Sequence, residues 1–378
     1  MKKIYYYSGN SEHPYFKNEY KLLKENFETY PSNPCYEKKI TSFQKFKKKS
    51  NINSKLYFIG LKIFIFLGIP KVRPIKTRCD YIFSCGFLFQ TKTPYVVTFE
   101  DSSVFYFHNY NRWNRFITKF LLKRYFKSNK CKYIIPWTNA AKKSFFSIFE
   151  SKKIREKVKV IYPSITPKIK KIENKKENNL LFIGSNFLYK GGWETYLAFK
   201  KLKSKNTKLN IVSDAIPDDL KKIILRDSNV KIYSSIKQKD LENLYKKAKI
   251  FVMPTHWDTL GFTFFEAMSY GLPLIGTKHF STPEIIQDNY NGFTVKNYVS
   301  YFDSKNLHQY NRKTIKNFGQ LLRNPPQKYI IELSKKMDKI FSNETLWKKF
   351  ANNSLDLVKS GKFSNEEKAL KIKQMFSN

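Results

Sequence analysis

At 378 residues the chain exceeds a comfortable single hydrophobic core, so two domains of ordinary size are expected. Its 71 Lys and Arg against 30 Asp and Glu leave a formal charge of +41, and the 34 Phe and 25 Tyr alongside that charge argue against disorder. The four cysteines, Cys35, Cys79, Cys85 and Cys131, share no C-x-x-C spacing and have no histidine cluster to complete a zinc site, which fits a reduced, cytosolic setting.

In chain order, KIYYYS reads as a buried first strand, because MKKIYYYSGN reaches Ser8, Gly9 and Asn10 too soon to supply a signal-peptide core. A basic region follows, with no Asp or Glu between Lys38 and Arg78 and none between Asp101 and Glu150. A lysine-rich genome explains much of the charge, and an anionic partner explains the acid-free stretches. The apolar run LYFIGLKIFIFLGI, Leu56 to Ile69, is too short to span a bilayer, which needs roughly 20 residues. It reads either as buried helix or as an interfacial segment whose flanking lysines meet phosphates.

CDYIFSCG, PYVVTFED, CKYIIPWTN and KVKVIYPS are strand-like and alternate with helical runs, the rhythm of a parallel sheet covered by helices. One of those helices, around RWNRFITKFLLKRYF, places Arg112, Arg115, Lys119 and Lys123 on one stripe and Trp113, Phe116, Ile117 and Phe120 on the neighbouring face. It is an ordinary core-plus-solvent helix or a membrane-surface helix. PSITPKIKKIENKKENN, Pro163 to Asn179, is proline-broken and charged, as an interdomain connection would be. The expected domains are therefore 1–163 and 180–345, with a linker at 164–179 and C-terminal helices over 346–378 that could pack back on the first domain.

Beyond the linker the alternation restarts with NLLFIGS, a helix from about Gly192 to Leu202, KLNIVSD, VKIYSS, a helix through DLENLYKKA, KIFVMP, the helix LGFTFFEAMSY ended by Gly271, and LPLIGT. This predicts a second doubly wound unit. Ser364 and Glu367 form a capping box that opens a terminal helix.

Two strand-to-helix turns carry the chemistry, since ligands of open parallel sheets gather where helix N-termini present their amides. In FIGSNFLYKGGW, Gly184 lets the chain turn, Gly191 and Gly192 allow a diphosphate close approach, and Lys190 adds positive charge. In the second turn Asp258 lies in the loop and Glu266 inside the helix that begins near Leu260. A buried carboxylate needs a partner, and a ribose diol can donate to it twice. Asp258 also reads as a plain N-cap.

DTLGFTFFEAMSYGLPLIGT followed by TPEIIQDNYNGFTV resembles the signature of glycosyltransferase family 4, and the similarity covers roughly Leu180 to Val295. The resemblance implies an α/β chain of GT-B fold, two facing Rossmann-like doubly wound domains with a donor cleft between them. The first domain would take the acceptor and the second the nucleotide sugar. By position Glu266 matches the acid that binds the nucleotide ribose, Asp258 the acid that contacts donor-sugar hydroxyls, and Lys190 the lysine that neutralises the diphosphate. These three are the expected catalytic residues. Gly184, Ser185, Gly191, Gly261, Phe262 and Thr263 complete the expected donor site, and Gly9, Glu100 and Asp101 stand where the acceptor side would be.

Three departures are visible. Ser185 replaces a frequent arginine, Phe280, Ser281 and Thr282 replace a glycine pair, and Glu100 stands where many relatives have a histidine. His256 reads as a loop residue pointing to solvent and His108 as a packed or surface residue; neither is expected to be catalytic.

The implied reaction is transfer with retention from a nucleoside-diphosphate sugar, such as a UDP- or GDP-sugar, to a saccharide or lipid-linked saccharide, as in surface polysaccharide or glycoconjugate synthesis. It implies no metal and no cofactor, the leaving phosphate accepting the acceptor's proton. A cytoplasmic protein, peripheral on an anionic membrane, would fit. Two other readings are a basic nucleic-acid-binding protein, which leaves Phe182 to Val295 without a purpose and so makes nucleic acid an unexpected partner, and an inactive GT-B scaffold.

Overall fold

The computed structural model describes residues 1–8, 14–30, 72–106, 116–173, 178–204, 206–307 and 312–377. The Leu56–Ile69 run, Gly9, His108, Arg112, Trp113 and Arg115 lie outside them. The chain divides into two compact units, Met1–Pro163 with Lys305–Leu307 and Lys368–Asn378, and Ser164–Ser304 with His308–Glu367.

The first unit is built on five parallel strands, β1 (Lys3–Tyr7), β2 (Glu28–Tyr30), β4 (Tyr81–Cys85), β6 (Tyr95–Phe99) and β7 (Cys131–Pro136), while β3 (Val72–Pro74) and β5 (Leu88–Gln90) pair separately. The five form one sheet in the order β2-β1-β4-β6-β7. Every residue of β6 is buried, the near-continuous apolar run expected of a strand covered on both faces. KVKVIYPS is not a strand as the sequence predicted, but a single bridge from Val158 to Ile134 on the edge of β7. Ile161 N donates to Pro136 O at 3.3 Å, but proline has no N–H to return, and the ladder stops there.

Helix Asn139–Phe149 is capped by Thr138, whose hydroxyl accepts from Ala141 N at 3.0 Å. Phe145 and Phe149 from this helix meet Phe126 at ring distances of 4.9 and 5.2 Å. The C-terminal helix Asn365–Ser377 contributes Ile372, Met375 and Phe376 to the core around Ile4, Leu23 and Val96.

The second unit carries six parallel strands: β8 (Asn178–Ile183), β9 (Thr207–Val212), β10 (Val230–Tyr233), β11 (Ile250–Met253), β12 (Leu274–Lys278) and β13 (Gly292–Lys296). Their order is β10-β9-β8-β11-β12-β13, so the direction of winding reverses between β8 and β11. In such a sheet the crevice outside the carboxyl ends of those two neighbours is where a ligand settles. Helix Glu344–Lys359 stays in this unit, with Trp347 buried and its indole N–H donating to Lys249 O at 2.8 Å.

Candidate donor site

The turns that follow β8 and β11 are the two glycine-bearing turns of the sequence, and the sheet order places them side by side. After β8 the chain passes Gly184 and Ser185 and folds on itself, with Lys190 N donating to Asn186 O at 2.8 Å and Gly192 N to Phe187 O at 2.8 Å. Gly191 has φ +80°, and a Cβ there would lie 2.4 Å from Pro254 O in the neighbouring turn. Only glycine satisfies both requirements. Helix Gly192–Phe199 begins immediately afterwards, so its first amides face the same end of the sheet. Ser185, standing at the arginine position, is exposed.

After β11 the chain runs from Pro254 to Gly261, again left-handed at φ +71°, and the helix Phe262–Ser269 starts two residues later than the sequence suggested. The Asp258 carboxylate reaches both turns. Its Oδ1 accepts from Gly261 N at 2.9 Å, and its Oδ2 pairs with Lys190 Nζ at 2.5 Å. The ammonium also donates to Trp257 O at 3.1 Å. The N-cap of this helix is Gly261, with no side-chain cap, so Asp258 is not the N-cap the sequence offered; through Gly261 N its carboxylate ties the chain just ahead of the helix to the lysine of the other turn. Thr263 Oγ1 donates to Met253 Sδ at 3.4 Å, which turns it toward β11, and the Phe262 ring lies 6.3 Å from Phe265.

Glu266 lies on the same helix and accepts from the Tyr245 hydroxyl at 2.8 Å. Burial raises its carboxyl above the ordinary range, and the Tyr245 hydrogen bond and the Lys168 charge counter only part of that. Among the described residues no other side chain hydrogen-bonds to this carboxylate.

His256 differs from expectation. It is fully buried, with Nε2 2.8 Å from Glu194 Oε1 and Nδ1 2.7 Å from Asn297 Oδ1. Tyr298 donates to the same Glu194 oxygen at 2.6 Å. A carboxylate buried in the first turn of helix Gly192–Phe199 needs donors, and the histidine turns inward to supply one. His256 N also donates to Tyr189 O at 2.9 Å, so the two turns are joined by main chain as well as by the Lys190–Asp258 pair.

The segment after β12 joins the same assembly. His279 Nε2 accepts from Asp258 N at 3.3 Å, and the Ser281 hydroxyl donates to Thr259 O. Phe280, in place of a glycine, takes φ +41° and stacks on Phe302 at 4.4 Å. A bulky residue in that region is strained by roughly 1 to 3 kcal/mol unless packing holds it. None of Tyr245, Lys168, Glu194 or His279 was identified from the sequence as part of the site.

Glu100 and Asp101 belong to the first unit. Asp101 is buried, and its Oδ1 accepts from Ser103 N at 2.6 Å at the start of the short helix Ser102–Tyr106. Among the described residues no group of three or more His, Cys, Asp or Glu is placed to hold a metal ion, and no helix is long and apolar enough to cross a membrane.

Two solved structures share this architecture along the whole chain. They are HepE from Anabaena in complex with UDP and glucose, with TM-score 0.63 and 13% identity over 100% of both chains, and the sucrose-phosphate synthase of Thermosynechococcus elongatus, with TM-score 0.63 and 13% identity over 100% of this chain and 98% of that one. At that identity the likeness establishes the fold, which is GT-B. An uncharacterized 41.2 kDa protein in the cps region of Klebsiella pneumoniae is 30% identical over 177 residues, 42% of this chain. The match spans about half of that relative's length, 48%. Residues 165–307, which hold both glycine turns, Lys190, Asp258 and Glu266, match the family model of Glycosyl transferases group 1.

Proposed function

We propose that the chain is a retaining glycosyltransferase of the family 4 type, moving a sugar from a nucleoside-diphosphate donor to a saccharide or lipid-linked saccharide in surface polysaccharide or glycoconjugate synthesis. The observation that carries this reading is the Lys190–Asp258 pair, held between two glycine turns at the point where the sheet order reverses. The group 1 family match, the UDP and glucose of the HepE complex and the cps-region relative support it.

In the proposed reaction the bond from the anomeric carbon to the diphosphate oxygen breaks, and its electron pair stays with the phosphate. Lys190 and the positive end of helix Gly192–Phe199 meet that growing negative charge. The acceptor hydroxyl forms the new bond on the same face and gives its proton to the leaving phosphate oxygen. No cofactor is part of this proposal. Glu266 holds the ribose, and Asp258, released from Lys190 as the ammonium moves onto the diphosphate, takes the sugar hydroxyls.

The test is a screen of UDP-, GDP- and ADP-sugars for thermal stabilisation of the full chain and for slow donor hydrolysis. No stabilisation by any donor at saturating concentration rejects the reading. The two acids should then separate. Glu266→Gln is expected to weaken UDP itself by about 1 to 3 kcal/mol, a charge-assisted bond lost in a half-buried site. Asp258→Asn keeps an oxygen for Gly261 N, so it should leave UDP affinity nearly intact and lower turnover. Calorimetry with UDP and single-turnover transfer assays check both.

The reading includes peripheral attachment to an anionic membrane on the cytoplasmic side, through helix Phe116–Lys127. Phe116, Ile117 and Phe120 are 80%, 56% and 58% exposed, and no acidic residue occurs in the helix. Phe116 and Phe120 stack at 6.2 Å, beside Lys119 and Lys123 in the sequence. Exposed aromatics among cations suit the headgroup layer. Vesicles containing anionic lipid should capture the protein at low salt and release it as salt screens charges over about 10 Å at ~0.1 M. Phe116→Ser with Phe120→Ser should abolish capture; equal capture by neutral vesicles contradicts the electrostatic component.

A further inference from the structure

Tyr245 stands on helix Gln238–Lys247 with its ring buried, lying flat on Tyr270 at 5.1 Å and an interplanar angle of 4°. Its hydroxyl reaches Glu266 Oε2 at 2.8 Å. That contact makes each group tolerable to the other. A buried phenol with no acceptor, or a largely buried carboxylate with no donor, would each cost the desolvation of an unmatched polar group.

We propose that Tyr245 is a positioning residue for the nucleotide subsite, because its hydroxyl fixes Oε2 of Glu266 and leaves Oε1 as the acceptor offered to a ligand's hydroxyl pair. The inference rests on the reading of Glu266 as the ribose acid and adds the residue that decides which oxygen is presented. A helix residue with several χ angles does not hold one orientation unless its end is tied, and among the described residues Tyr245 is the side chain that ties it.

Tyr245 also bears on charge. A carboxylate accepts both hydroxyls of a diol, whereas a carboxylic acid must spend one oxygen on its own proton. Burial pushes the Glu266 proton affinity up, the Tyr245 hydrogen bond lowers it, and Lys168 lowers it from the segment ahead of β8. Lys168 Nζ is itself 3.9 Å from Glu242 Oε1 on the Tyr245 helix, and burial, with the charges of Glu242 and Glu266, pushes the Tyr270 hydroxyl up to about 12. Removing the phenol therefore leaves burial opposed by Lys168 alone, and the acid form persists to higher pH. The sign follows. Ligand binding that needs the carboxylate is full above its pKa and falls as pH drops through it, so the variant loses affinity first on the acid side.

The experiment titrates UDP binding to the full chain by calorimetry from about pH 4.5, close to the ordinary glutamate value, up to about pH 8.5. It compares wild type, Tyr245→Phe and Tyr270→Phe, the last removing a hydroxyl from the same ring stack without touching Glu266. Tyr245→Phe is expected to move the acid limb up by about one pH unit. UDP should then bind about tenfold more weakly at the acid end and within about threefold of wild type at the alkaline end. Tyr270→Phe should leave the profile in place. An unchanged acid limb in Tyr245→Phe, or the same shift in Tyr270→Phe, overturns the positioning role. The reading on which it rests fails differently, by Glu266→Gln binding UDP as tightly as wild type across the whole range.

Discussion

Replacing Lys190 by methionine is expected to lower sugar transfer by about 10²- to 10³-fold, the cost typical of removing one preorganised donor from a developing anion. Lys190 and Asp258 are 20% and 16% exposed, so their attraction is less screened than that of a surface pair. The structure adds that methionine would also strip Asp258 of its cation, leaving the carboxylate with Gly261 N and its weaker contact to Leu260 N at 3.4 Å. Lys190→Arg should recover part of the rate, because it restores the charge without the same reach. Single-turnover assays at saturating donor separate this from lost affinity. Transfer by Lys190→Met at the wild-type rate would remove the lysine from the mechanism.

The second large effect is on stability and lies in the first unit. Glu19 and Lys368 are both buried, with Nζ to Oε1 at 2.6 Å. Tyr15 donates to Oε1 at 2.6 Å, and Tyr6 and Cys85 donate to Oε2 at 3.2 and 3.1 Å, so the carboxylate is saturated. Burial alone would raise the Glu19 carboxyl, but the charge of Lys368 and the surrounding hydrogen bonds outweigh it and hold the group below its usual range. Lys368→Met should destabilise the protein by roughly 3 to 5 kcal/mol, because a buried anion is left uncompensated. Adding Glu19→Leu should recover only part of the loss, since it removes the unmatched charge but takes from Tyr15, Tyr6 and Cys85 the acceptor they share. Because the folded value is depressed, the pair's contribution is complete above the unfolded carboxyl value of about 4.3 and is lost as pH falls through the folded one. Urea unfolding of wild type and both variants at neutral and acid pH measures this. Equal stability of Lys368→Met and wild type would show that the pair contributes nothing.

These two pairs also show where sequence reading ends. The turns at Gly184–Gly191 and Asp258–Gly261 were legible because glycine, lysine and carboxylate lie within a few residues of one another, next to strands whose apolar runs are unmistakable. The alternation of strand and helix in the second half was legible for the same reason, and the sheet it forms has its winding reversal at those two turns. KVKVIYPS misled because its β-branched residues match a strand while the proline opposite limits its pairing. His256 misled because a histidine in a polar loop looks solvent-facing until Glu194 is found behind it.

Sequence by itself determined the alternation of two doubly wound α/β halves, two glycine-bearing turns with Lys190, Asp258 and Glu266 beside them, and an aromatic-rich first half with two long acid-free stretches. Tertiary structure alone decided which groups satisfy those charges. Lys190 closes on Asp258 across 68 positions, Glu194 on His256 across 62, Tyr245 on Glu266 across 21 and Lys368 on Glu19 across 349. The physical reason is one of range. Backbone preference and hydrophobic period act over a turn or two, whereas a buried charge takes whichever donor the packing of distant elements brings within about 3 Å.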